Sequence, residues 1–142
     1  MKDFFLPRAK AVGHTIGAQF VYTLFRVFIG YNIAFNHGLS KVKDSSGLAG
    51  WLKSMEWPMP EVLAYLAAYG EFLGGILIMA GLFSRIGGLL VTITMAVVVF
   101  LIDLPAGKAF FITDELAQMY FWAAAAITAI GPGKISVDAL RS

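Results

Sequence analysis

Four long apolar stretches, joined by short polar connections, constrain this chain of 142 residues more than any other feature. The third and fourth stretches contain no charged residue, and the first two contain one each, Arg26 and Glu71. The stretches are residues 16–36, 62–83, 86–102 and 116–131. About 20 helical residues cross the hydrocarbon core of a bilayer. We therefore predict an all-α integral membrane protein, a single domain over residues 1–142 whose transmembrane helices span about residues 16–38, 61–83, 85–103 and 114–131 and form a four-helix bundle.

The composition supports a membrane environment. Apolar residues make up 58% of the chain and charged residues 14%, with a mean hydropathy of +0.75, whereas a soluble domain carries about a quarter charged residues. A domain of this size leaves much of its surface exposed and cannot hide so much apolar material. We expect the excess to face membrane lipid, and a protein partner in a membrane complex or further copies of the chain.

Several functional classes are excluded by residue counts. The absence of cysteine removes disulfides, thiol catalysis and cysteine-ligated clusters. A net charge of +2, with the basic residues scattered, gives no nucleic-acid surface. The acidic residues form no recognisable metal motif. The two histidines, His14 and His37, would lie about 34 Å apart on one helix, too far to share a haem iron; a haem with a single histidine, or one shared with a partner, stays open.

The basic residues predict the orientation in the membrane. Six of them fall on one side if the helices alternate, namely Lys2, Arg8, Lys10, Arg85, Lys134 and Arg141. Four fall on the other side, namely Lys41, Lys43, Lys53 and Lys108. This bias predicts a bacterial inner (plasma) membrane protein with both termini in the cytoplasm. The first residues lack the pattern of a cleaved signal, and we interpret them as a short foot at the membrane interface.

The connection over residues 40–61 is long for a helical bundle. Leu48, Trp51, Leu52 and Met55 recur in it at helical spacing after Ser45 and Ser46, which can cap a helix. This predicts a short interfacial helix on the outer leaflet, with its tryptophans at headgroup depth. An ordinary interfacial loop is the alternative.

The charges of Arg26 and Glu71 must be compensated inside the membrane, because a charge at mid-bilayer costs at least about 2.5 kcal/mol. At 1.5 Å per residue, Arg26 lies about 15 Å from the inner start of its helix and Glu71 about 18 Å from the inner end of the next. Equal depth predicts that the two charges pair. The pair is either a structural staple or one wall of a polar pocket.

A polar stripe leads from this depth to the outer surface. On the first helix, Arg26, His37 and Lys41 share a face. Asp103 and Glu115, near the outer ends of the third and fourth helices, reach the same level. We predict an outer polar mouth formed by His37, Lys41, Asp103 and Glu115, although each residue alone is also typical of a solvated helix end.

Three motifs resemble the DoxX family of small four-helix membrane proteins over about residues 20–138. The first consists of Arg26, Gly30, Gly38 and Lys41. The second reads E-x-x-G-G-x-x-x-x-x-G-x-x-S-R from Glu71 to Arg85. The third is the G-P-G-x-x-S-x-D ending from Gly131 to Asp138.

The resemblance implies a link to membrane redox chemistry, since some members are described as subunits of quinone-linked oxidoreductases. Combined with the polar residues, it suggests a quinone pocket in which Arg26 or His37 holds a carbonyl oxygen and Glu71 passes protons. No redox centre is encoded, so electrons would come from a partner. The alternative is a non-catalytic accessory or assembly subunit that binds other membrane proteins.

Overall fold

The computed structural model describes residues 15–107 and 114–141. The predicted interfacial foot, His14 and Lys108 lie outside these ranges. The described residues contain helices and no strand, so the all-α prediction is confirmed. The elements are α1 (Ile16–Tyr31), a first π-helical segment (Asn32–Gly38), α2 (Leu39–Lys43), α3 (Ser46–Ser54), α4 (Pro60–Ala80), α5 (Ser84–Ala96), a second π-helical segment (Val97–Asp103), α6 (Glu115–Ile130) and α7 (Val137–Leu140).

Two of the described helices are long and apolar enough to cross a membrane. They are α4, with 21 residues, and the continuous helix Ser84–Asp103, with 20 residues. The described part of α6 has 16 residues. The first π segment joins α1 to α2, and this whole run from Ile16 to Lys43 is called the first long helix below.

Local sequence explains where the helices begin and end. The Thr15 hydroxyl accepts a hydrogen bond from the Ala18 amide at the start of α1, and Asp114 accepts from two amides at the start of α6. Gly81 ends α4 in the left-handed conformation, at φ 70°, which glycine adopts without a steric penalty. The turn to α5 is therefore tight.

The short helix predicted in the connection is present as α3, and it packs against α4 through the buried Leu52. Ser45 occupies the N-cap position, as predicted, but its side chain makes no capping hydrogen bond. Instead, Asp44 Oδ1 accepts a hydrogen bond from the Ser46 amide at 2.9 Å. Hydrogen bonds from the side chain and backbone of Ser46 lower the pKa of Asp44.

Glycines bring the long helices into backbone contact. A Cβ atom on Gly75 of α4 would lie 2.6 Å from the Ala34 nitrogen and 2.8 Å from the Gly30 oxygen. Gly38 faces the backbone of Phe72 in the same way. Gly30, Ala34 and Gly38 are four residues apart and form one stripe, which is the small-residue pattern that lets membrane helices approach closely.

Glycines also lie at the contact of α4 with α5 and at the contact of α5 with α6. A Cβ atom on Gly74 of α4 would lie 2.9 Å from the Gly87 oxygen of α5, and one on Gly88 would lie 2.9 Å from the Ala124 oxygen of α6. Neighbouring helices therefore pack in chain order. The core between them is apolar and includes Ile33, Ile78, Val91, Val99 and Ile127.

We expect Gly75→Ala to lower the free energy of unfolding by roughly 2 kcal/mol, because the added methyl group meets backbone atoms that cannot move aside cheaply. Thermal unfolding in detergent micelles measures the effect. Gly17→Ala is the matched control, since nothing lies within 4 Å of its Cβ position. Equal melting temperatures for the two variants would contradict the close contact.

Candidate functional site

A buried ion pair joins the C-terminal end of the first long helix to the middle of α4. Lys41 Nζ lies 2.6 Å from Oε1 and 2.7 Å from Oε2 of Glu71. The Glu71 side chain is 3% exposed and that of Lys41 34%. Glu71 stands eleven residues after Pro60 and nine before Ala80, close to the midpoint of α4. The carboxylate is thus withdrawn from solvent while the ammonium group keeps access to the surface.

The predicted pairing of Arg26 with Glu71 was wrong. Arg26 lies about two turns further toward the C-terminus of α4, where its guanidinium contacts the carbonyl groups of Ile78 and Met79. The prediction assumed that both helices start at the same level on the inner side. The first long helix instead extends past the C-terminal end of α4, so ten residues inside α1 reach only the last turn of α4.

Arg26 acts as a cap for the C-terminus of α4. Its Nη1 donates to the Ile78 oxygen and, at 2.9 Å, to the Met79 oxygen. Its Nη2 donates to the Ile135 oxygen at 3.0 Å. The last carbonyls of a helix lack intrahelical donors and carry partial negative charge, so a cation placed there is compensated although its residue is only 2% exposed. Both terminal nitrogens of Arg26 are thus engaged by carbonyl groups, and its place in a quinone pocket stays a prediction.

The start of α1 is tied to the residues that follow α6. The Tyr22 hydroxyl donates to the Gly131 oxygen at 2.6 Å, and the Gln19 side-chain oxygen accepts from the Lys134 amide at 2.9 Å. A shallow depression of about 420 Å³ opens beside this contact, lined by Arg26, Ala80, Lys134, Ile135, Ser136, Val137 and Leu140.

Two residues of the predicted outer mouth lie beside the ion pair or belong to it. Lys41 forms the pair itself. His37 contacts Tyr120 edge to face, with ring centroids 5.4 Å apart, and Tyr120 interacts electrostatically with Glu71. Sequence reasoning missed Tyr120. Its position in the sequence indicates burial, because Tyr120 recurs at helical spacing with the other buried residues of α6, namely Ala117, Ala124 and Ile127.

The other two predicted mouth residues make different contacts. Asp103 is buried, and its Oδ2 accepts from the Asp114 amide at 2.9 Å, which fixes the start of α6. Glu115 is exposed and lines a separate shallow depression of about 390 Å³, together with Gln118, Met119 and Trp122. Within residues 15–107 and 114–141, no group of three acidic or histidine residues is placed to hold a metal ion.

The first π-helical segment contributes to this polar region. His37 lies in the first, and the second ends at Asp103. Such widened turns are rare and are found frequently at functional sites. We therefore take Lys41, Glu71, His37 and Tyr120 as the candidate site.

We expect Lys41→Met to lower the free energy of unfolding by about 3 kcal/mol, because it leaves the buried Glu71 carboxylate without a counter-charge. The double variant Lys41→Met/Glu71→Gln removes both charges and should be more stable than Lys41→Met alone. Denaturation in micelles measures both, with the exposed Lys53→Met as control. If the double variant loses as much free energy of unfolding as Lys41→Met and Glu71→Gln lose together, the two side chains do not pair directly.

We expect Arg26→Lys to loosen the segment after α6, since a single ammonium group cannot reproduce the planar fork that binds three carbonyls. Limited proteolysis should cleave between residues 131 and 141 several-fold faster than in the parent protein. Lys134→Gln, which changes an exposed side chain of the same segment, should leave the cleavage rate unchanged. An unaltered rate in Arg26→Lys would show that the guanidinium does not hold this segment.

Comparison with known proteins supports the family resemblance. The family model described as DoxX matches residues 21–104. The Bacillus subtilis (strain 168) protein named "Putative oxidoreductase CatD" is 36% identical over 83 residues, which cover 58% of this chain and 60% of that protein. The match therefore spans less than two thirds of the length of CatD. No solved structure matches. The chain belongs to the DoxX family of membrane proteins.

Proposed function

We propose that this protein is a membrane-embedded subunit of a quinone-linked oxidoreductase complex, and that the Lys41–Glu71 pair is its proton-exchanging group. The observation that carries the proposal is a carboxylate 3% exposed at the midpoint of a membrane-length helix, bound to a lysine that is 34% exposed. Ionisable groups inside a membrane are rare and mark proton or ligand pathways by default.

The proposal includes a four-helix transmembrane arrangement in a bacterial inner membrane. Large apolar side chains on the outside of the helices support it, among them Phe28 at 66% exposure and Leu66 at 65%. Arg85, Lys134 and Arg141 lie at one end of the helices, and Lys41, Lys43 and Lys53 lie toward the other. We assign the first end to the cytoplasm from the wider count of basic residues in the sequence.

The residues of the candidate site suit a quinone by their chemistry. A bound quinone supplies two-electron, two-proton redox chemistry in the lipid phase. Lys41 has three N–H groups, of which two are directed to the Glu71 oxygens, so a third remains for a carbonyl oxygen. The His37 imidazole, held against Tyr120, is a second donor. Glu71 and Lys41 together can hold or release a proton.

The electron donor in this proposal is a partner protein. The chain has no cysteine to hold an iron–sulfur cluster, and the name of CatD includes the word oxidoreductase. The role of this chain would be to bind the quinone, to orient it and to connect its oxygens to the outer surface through Lys41.

We expect the protein, extracted gently from its own membranes, to retain a stoichiometric quinone in native mass spectrometry. Glu71→Gln should weaken quinone binding about tenfold, because the neutral amide no longer holds the charged Lys41 donor in place for the quinone oxygen. The folded double variant Lys41→Met/Glu71→Gln should also lose binding, which separates binding from stability.

Glu61→Gln is the matched control, because it makes the same change on an exposed residue of the same helix. If the wild-type protein carries only phospholipid, or if both charge variants bind quinone like the wild type, the quinone role fails. The ion pair would then be a structural staple of an accessory subunit that assembles other membrane proteins.

A further inference from the structure

Two asparagine amides lie on the outer face of the first long helix. Asn32 Nδ2 donates to the Phe28 oxygen at 2.8 Å, and Asn36 Nδ2 donates to the Asn32 side-chain oxygen at 2.8 Å. Asn36 is exposed. The neighbouring side chains are large and apolar or aromatic, with Phe28 66% exposed and Tyr31 51% exposed. This pair of amides is called the asparagine ladder below.

The glycine contacts fix the depth of the ladder. Gly30 faces the backbone of Gly75 and Met79, and Gly38 faces that of Phe72. Asn32 and Asn36 lie between these two glycines, so they are level with residues 72–79 of α4. Asn36 is therefore only a few ångströms from the midpoint of a helix about 31 Å long, where the surroundings of an exposed side chain are hydrocarbon.

The ladder leaves hydrogen-bonding capacity pointing outward. A side-chain amide has two N–H groups and one carbonyl oxygen. Within residues 15–107 and 114–141, Asn36 uses one N–H toward Asn32, and its carbonyl oxygen and second N–H have no protein partner. An unsatisfied amide in hydrocarbon costs several kcal/mol, and amides of this kind hydrogen-bond across neighbouring membrane helices.

We propose that the asparagine ladder is the centre of a homodimer interface, in which Asn36 pairs with Asn36 of a second copy. A two-fold axis along the membrane normal returns every residue to its own depth, so the two amides meet without any further adjustment. An amide is both donor and acceptor and therefore complements itself, as a buried asparagine does in coiled coils. Any other partner would need a polar group at the same depth.

The absence of cysteine allows a direct test by disulfide crosslinking in native membranes. Phe28→Cys introduces a single thiol on the ladder face, two turns from Asn36. Ile93→Cys, 54% exposed on α5, is the matched control on another face. We expect mild oxidation to give covalent dimers of this chain from Phe28→Cys and almost none from Ile93→Cys.

Adding Asn36→Leu to Phe28→Cys should weaken self-association about tenfold, as expected for the loss of interhelical hydrogen bonds. Adding Asn36→Gln, which keeps the amide, should preserve most of the crosslinking. The amide of Asn36 bonds only within its own helix in one copy, so an unchanged melting temperature of Asn36→Leu in micelles will show that the fold is intact.

Three results would overturn the proposal. They are equal crosslinking of the two cysteine variants, full crosslinking in the presence of Asn36→Leu, and covalent linkage of Phe28→Cys to a different protein. The test does not depend on quinone binding, so its outcome is separate from that of the proposed function.

Discussion

The contact of Gly30 and Ala34 with Gly75 sets the positions of the other groups in this molecule. Lipid tails are as apolar as the side chains, so membrane helices gain little from hydrophobic burial and associate through close packing and hydrogen bonds. The glycines allow the first long helix and α4 to touch through their backbones. The same contact fixes their stagger. Gly38 rests on Phe72, and Lys41, nearly one turn later, then meets Glu71.

The stagger also explains why the two cations of the first long helix have different partners. Arg26 reaches two carbonyls at the end of α4 and one in the segment after α6, where a planar fork with several donors is useful. Lys41 reaches the one carboxylate inside α4, where a compact ammonium group can bind both oxygens. Each side chain thus matches its acceptor in shape as well as in charge.

The sequence predicted the helices better than it predicted their contacts. Apolar length indicated the long helices, and the cost of a buried charge showed that Glu71 needs a partner. The helical period placed Arg26, His37 and Lys41 on one face, and all three do contact groups of other helices. The helical period does not determine which cation meets Glu71. The depth of each cation relative to Glu71 depends on the stagger of the two helices, and the stagger depends on which glycines are in contact. The π-helical segments left no recognisable signal in the residues that form them.

The ties between α1 and the residues after α6 have a consequence for biosynthesis. Arg26 and the Ile135 carbonyl that it binds are 109 residues apart, as are Tyr22 and Gly131. A chain emerges from the ribosome at about 5–20 residues per second, so α1 is synthesised seconds before these acceptors exist. During that interval the Arg26 guanidinium lacks one of its acceptors, and the Tyr22 hydroxyl lacks its own. Synthesis of α1 and completion of these contacts are therefore separate events, and in between the polar groups of α1 need water, lipid headgroups or another protein to solvate them.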